Sequence, residues 1–140
     1  MITLSRQTDY ACQVILHLAT LSPDTRVTAQ EIAARRIIPR ALVRRITTQL
    51  GKAKLIATTR GMGGGLALVR PASQISLLDV TQAMEEMILP NACVTNPRAC
   101  PLMKVCSVHE VWVDAHACLV AQLRQATFDQ LAQRAQVLDK

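Results

Sequence analysis

The sequence predicts a mostly α-helical domain with a small β-hairpin and one long helix toward the C-terminus. Three observations carry that expectation. Half of the 140 residues are hydrophobic, yet Tyr10, Trp112 and Phe128 are the only aromatics, so the core falls to Leu, Ile, Val, Ala and Met, as in helical proteins. Apolar residues recur at helical spacing through most of the chain. Four of the five glycines crowd into residues 61–65, between two short strand-like runs.

Residues 5–21 read as a helix, with Ala11, Val14, Ile15, Leu18 and Leu21 at helical spacing and Ser5 available as a cap. Ser22-Pro23-Asp24 closes it. Thr28-Ala29-Gln30-Glu31 is a capping-box pattern that opens a short helix ending at Arg36. Pro39 marks the first turn of a third helix over residues 39–52. Val43, Ile46 and Leu50 fall on one side of it; Arg40, Arg44, Thr47 and Thr48 fall on the other. Two short helices with a brief connection, the second showing a basic face, make a helix-turn-helix pattern.

Residues 55–59 and 66–69 read as strands around the turn Arg60-Gly61-Met62-Gly63-Gly64-Gly65. A hairpin directly after a recognition helix is a wing, and an arginine at its tip suits the negative potential of a minor groove. The glycine run is not a nucleotide-phosphate loop, because no G-x-x-x-x-G-K-[ST] occurs and no crossover helix of a parallel βαβ unit follows. Residues 75–87 read as a helix with Leu77, Val80, Met84 and Met87 or Ile88 toward the core. Residues 90–106 are loop, broken by Pro90, Asn91, Asn96, Pro97 and Pro101. Residues 108–125 are helical again, with Val111, Ala115, Cys118 and Gln122 on one stripe and Trp112, Leu119 and Leu123 nearby. That helix is too long and apolar to be only a cap, so it is expected to bury surface against a second subunit of a homodimer. Thr127 starts a last short helix.

Charge is unevenly spread. Residues 26–70 carry a net +9 and the remainder −3, the footprint of a segment that binds a polyanion such as double-stranded DNA. No apolar run is long enough to span a bilayer and no cleavable signal peptide is visible, so the cytoplasm is the expected compartment and no membrane partner is expected. Five cysteines, an odd number in a chain without a secretion signal, favour metal, cluster or thiol chemistry over disulfides. Cys93, Cys100 and Cys106 form C-x6-C-x5-C in the proline-broken loop, and His109 adds C-x2-H. Three thiolates and an imidazole suit zinc or an iron-sulfur centre, and spacing does not choose between them. Cys12 and Cys118 lie in helices and read as packing residues.

These residues resemble, over nearly the whole chain, the Rrf-two family of winged-helix regulators, which includes an iron-sulfur-cluster regulator and a nitric-oxide-sensing repressor. The likeness rests on Thr8-Asp9-Tyr10-Ala11, Arg60-Gly61-x-Gly63-Gly64-Gly65, Arg70-Pro71 with Ile75-x-Leu77-x-Asp79-Val80, and the three-cysteine loop. The resemblance implies a dimer in which residues 1–75 form the DNA-binding winged helix-turn-helix. Residues 76–140 then supply a cluster-binding loop and dimerisation helices, all within one compact domain. It implies a cluster on Cys93, Cys100 and Cys106, with His109 as the fourth ligand of a 2Fe-2S centre or Asp9 of the partner subunit as that of a 4Fe-4S centre. The local C-x2-H favours 2Fe-2S. Expected DNA contacts are Arg35, Arg36, Arg40, Arg44, Thr47, Thr48 and Arg60, on a promoter operator.

Three departures stand out: the first two cysteines lie one residue further apart than is usual, Arg40-Ala41 replaces the small-polar and aromatic pair often found at the start of the recognition helix, and Lys54 occupies a position where glycine is usual. The expected function is an iron-sulfur-containing transcription regulator, a repressor, sensing redox state, nitric oxide or cluster status, with no enzymatic activity and no small-molecule substrate. The alternatives are a zinc-binding or thiol-based redox regulator of the same fold. A small thiol oxidoreductase is a further alternative, disfavoured because no C-x-x-C accompanies the cysteines.

Overall fold

The computed structural model describes residues 3–85, 91–96 and 98–138. Its helices are α1 (Arg6–Ala19), α2 (Ala29–Arg36), α3 (Arg40–Lys52), α4 (Leu77–Met84), α5 (Ser107–Gln125) and α6 (Phe128–Leu138). Strands β1 (Ile56–Thr59) and β2 (Gly65–Leu68) follow α3. Short 3-10 turns occupy Ala72–Gln74, Ala92–Val94 and Met103–Val105. The expected mostly helical fold with a β-hairpin wing is what forms.

Helix α1 starts where the Ser5 hydroxyl accepts from the Thr8 amide at 3.3 Å. Its Ala11, Val14, Ile15 and Leu18 are buried, and it packs against α3, α4 and α6 at the centre of the core. The capping box of α2 is complete: the Glu31 amide donates to the Thr28 hydroxyl at 3.2 Å, and the Thr28 amide donates to Glu31 Oε2 at 2.7 Å. A second box opens α4, with the Ser76 amide donating to Asp79 Oδ2 at 2.8 Å. The helix expected over residues 75–87 is thus α4, whose Leu78, Val80 and Thr81 are buried. Met87 and Ile88 lie outside the described residues.

The hairpin is antiparallel, pairing Ile56 with Leu68 and Thr59 with Gly65. Val27 adds a bridge on the outer edge: the Leu66 amide donates to the Val27 carbonyl at 2.7 Å, and the Val27 amide returns to Leu66 at 3.3 Å. The wing is therefore fastened to the α1–α2 connection as well as to α3.

Helix α3 ends in a motif that explains the Lys54 position. The Leu55 amide reaches back to the Leu50 carbonyl at 3.1 Å, and the Lys54 amide reaches Gly51 at 3.0 Å. Leu50 and Leu55 bury their side chains beside this double bond. Lys54 consequently takes φ +59, the left-handed region where glycine is unstrained. Lys54→Gly is expected to raise the unfolding free energy by about 1 kcal/mol, read from urea unfolding at unchanged m-value.

No residue of α5 is buried. His109, His116, Leu119, Val120 and Leu123 are half-buried, on a helix that packs against α4 and the Ala92–Val94 turn. The stripe of Val111, Ala115, Cys118 and Gln122 is exposed. Among the described residues no helix is long and apolar enough to cross a membrane.

Candidate nucleic-acid interface and cysteine loop

Arg40, Arg44, Arg45, Thr48 and Lys52 stand exposed along one side of α3, and all of these but Arg40 line, with Ala41 and Gln49, a shallow groove of about 460 Å³. Nothing acidic interrupts this face. Thr48 is fixed by donating its hydroxyl to the Arg44 carbonyl at 2.8 Å. Thr47 corrects the sequence-based face assignment: it is only 9% exposed, lies with Val43 and Ile46, and turns its hydroxyl back to Arg44 at 3.0 Å. At about 100° per residue Thr47 sits roughly 40° from Val43 and roughly 60° from Arg44, so the apolar face claims it. Arg35 is exposed. Arg36 is half-buried and turned inward, donating to Gln13 Oε1 at 3.4 Å. Arg60 is exposed where β1 leaves for the turn. A residue outside the expected set joins it: Arg26 donates to the Thr59 hydroxyl at 2.8 Å. Its only sequence signal is membership of the basic segment.

Arg70 lies apart from this surface. Its Nε donates to the Gln74 carbonyl at 3.0 Å and its guanidinium pairs with Asp79 at 3.5 Å, holding the exit of β2 against α4.

Cys93, Cys100 and Cys106 are free thiols, all half-buried, in the segment leading into α5. Cys106 is the residue on which α5 begins, and the His109 amide donates to its carbonyl at 3.2 Å. The imidazole of His109 keeps a buried Nδ1 with no hydrogen-bond partner among the described residues. Among the described residues no three His, Cys, Asp or Glu side chains stand close enough to hold a metal ion within this one chain. Asp9 is exposed on the first turn of α1. Cys12 is a different kind of thiol: burial and the neighbouring Asp9 carboxylate push its pKa up to about 12, so it stays protonated and packs. Cys118 is exposed.

A polar clasp that the sequence did not reveal ties the two halves together. The Thr8 hydroxyl and the Ser5 amide, the latter at 3.0 Å, both donate to Glu85 Oε1 across 77 and 80 residues. Donation by Thr8 first, and by Ser5, holds the Glu85 carboxyl below the ordinary carboxylate range. A lowered folded-state value means the clasp is fully stabilising above the ordinary glutamate range, about pH 4.3, and is lost as pH falls through the lowered value. Glu85→Gln is therefore expected to flatten the acid limb of stability against pH, measured as the urea midpoint on acidification, with no change in slope near neutrality.

Over residues 4–134 the chain matches the Rrf2 family, described as iron-dependent transcriptional regulators. It is 29% identical over 137 residues to the protein rrf2 of Nitratidesulfovibrio vulgaris, covering 98% of this chain and 91% of that one. It is also 29% identical over 130 residues to the HTH-type transcriptional regulator IscR of Cronobacter sakazakii, covering 93% and 80%. Among solved structures, CymR, the global cysteine regulator of B. subtilis, shares the fold with a TM-score of 0.79 at 20% identity, covering 96% of this chain and 98% of that one. With a basic-faced third helix, a β-hairpin wing and a family match across most of its length, this chain belongs to the Rrf2 family of DNA-binding transcription regulators, which are not enzymes.

Proposed function

We propose that this regulator carries an iron-sulfur cluster on Cys93, Cys100 and Cys106 and represses promoters as a homodimer whose operator affinity follows the state of that cluster. The observation that carries this reading is the donor set of the segment leading into α5: three free, half-buried thiols and, in the first turn of the helix, an imidazole whose buried Nδ1 has no hydrogen-bond partner among the described residues. Soft thiolates beside a nitrogen donor fit an iron-sulfur group, and loop backbone lets them close around it. His109 is the fourth ligand in the preferred 2Fe-2S form, and Asp9 of the partner subunit takes that place in the 4Fe-4S alternative. When bound, the group supplies a centre that oxidation, nitric oxide or iron loss alters.

The remaining steps belong to the protein. Residues 1–75 supply the DNA-binding region and residues 76–140 the cysteine loop and dimer helices. Arg35, Arg40, Arg44 and Thr48 meet bases and phosphates in the major groove while Arg60 enters the minor groove. The exposed stripe of α5 packs on its copy. The Ala92–Val94 turn of the cysteine loop packs on α5, α5 packs on α4, and Glu85 at the end of α4 grips α1 through Thr8, with α1 packed against the recognition helix α3. A change in the loop is passed along this chain of contacts. Couplings of this type run about 1–3 kcal/mol, or roughly 5- to 150-fold in affinity.

The test is absorption and Mössbauer spectroscopy of anaerobically purified wild type beside His109→Ala and Asp9→Ala. Visible colour with iron and acid-labile sulfide is expected, with the spectrum changed by His109→Ala and kept by Asp9→Ala. The reverse pattern assigns Asp9 and a 4Fe-4S centre. A colourless protein holding stoichiometric zinc, or no metal, replaces this reading with the zinc or thiol alternative.

A further inference from the structure

The tip of the wing carries one large apolar side chain that the fold does not use. Met62 is 105% exposed, in the turn between β1 and β2. Gly61 and Gly63 on either side take φ +93 and +75, and a Cβ on either would meet nothing within 4 Å, so the tip projects into open space. Beneath it the turn is closed. The Gly64 amide donates to the Gly61 carbonyl at 3.0 Å, and a Cβ on Gly64 would collide with the Thr59 carbonyl oxygen. The turn is therefore tight at its base, and Met62 is presented at its end.

Two exposed arginines lie at the base of the turn. Arg60 immediately precedes the turn, and Arg26 is pinned beside it by its bond to Thr59. A single exposed apolar residue is ordinary on a protein surface. A methionine held outward by glycines at the end of a DNA-binding wing, with arginines at the base of its turn, matches one environment closely. The minor groove offers negative walls for the arginines and apolar sugar and base edges for a flexible, polarisable side chain.

We infer that Met62 of each subunit is a wedge that enters the minor groove of its half-site and unstacks one base step there, with Arg60 and Arg26 gripping the groove beside it. This rests on the reading of the wing as a minor-groove element. Wedges of this kind are apolar, and methionine is among the side chains that serve. Arg26 and Arg60 supply the salt-dependent part of the contact and Met62 the part that deforms the duplex.

The experiment uses the whole protein and a duplex of about three helical turns selected by the wild type from a random pool. 2-Aminopurine replaces adenine at successive positions along it. Wild type is expected to raise the fluorescence at one step in each half-site. Met62→Ala should abolish that rise and weaken binding roughly tenfold, whereas Met62→Leu keeps both. Arg26→Ala should keep the rise while lowering the dependence of log affinity on log salt by about one phosphate's share. All three side chains are exposed, so unchanged thermal unfolding is the control for folding. Wild-type affinity for Met62→Ala, or no fluorescence rise with wild type at any position, overturns the wedge. If the wild type selects no duplex at all, the DNA-binding reading of the wing fails and the wedge falls with it.

Discussion

Phe128→Ala is expected to lower the unfolding free energy by about 3–5 kcal/mol, a large share of the roughly 5–15 kcal/mol that holds an ordinary domain. Phe128 is the chain's only phenylalanine and is 1% exposed, the largest of its fully buried side chains. It stands at the first position of α6, and its neighbours are locked by backbone. The Phe128 amide donates to the Ile75 carbonyl at 2.9 Å, and the Leu77 amide donates to Ala126 at 2.8 Å. That pairing prevents the surroundings from collapsing into the space left by the ring, so the cavity cost is felt nearly in full. α6 packs against α1, and α1 carries α3, so the loss should also appear as weakened DNA binding near the unfolding midpoint. Urea unfolding measures it. A loss below about 1 kcal/mol would mean that α6 is not part of the core.

The second large effect is at α5, the helix of the proposed dimer interface. Val111→Glu is expected to leave the chain folded, because Val111 is 63% exposed in the single chain. In the proposed dimer it buries a carboxylate without a partner, and two-fold symmetry makes every change count twice. Sedimentation should show monomers at concentrations where wild type is dimeric. Operator affinity should fall by roughly 100-fold, since one head then binds without the other. Wild-type sedimentation from Val111→Glu would place the interface elsewhere.

What the sequence made legible was local. Ser5, the Thr28–Glu31 box and the helical spacing of Ala11 to Leu18 act within a few residues, and each element they announced forms. The Ser76–Asp79 box was equally readable, and it opens α4 at Leu77; the other end, where periodicity ran past Met84, is set by Glu85 in extended backbone. Thr47 was assigned to the polar face by its chemistry, whereas its angular position beside Val43 decides its burial. Lys54 drew attention as a departure from a family glycine, and its positive φ gives the reason. The rest depended on distance along the chain. No pattern links Glu85 with Thr8, Arg26 with Thr59 or Phe128 with Ile75, because those partners meet only once α1, α4 and α6 have packed. The cysteine set was visible as spacing, but its closure around a group depends on loop geometry and a second subunit that spacing does not encode.

The most direct test of the account is an anaerobic fluorescence-anisotropy titration of the selected duplex with one preparation before and after removal of its cluster, beside the Cys93→Ser, Cys100→Ser, Cys106→Ser triple variant. The account predicts affinities differing by roughly 5- to 150-fold between the two wild-type forms, and no such difference in the variant. Equal affinity of cluster-loaded and cluster-free wild type at the same salt concentration would contradict it.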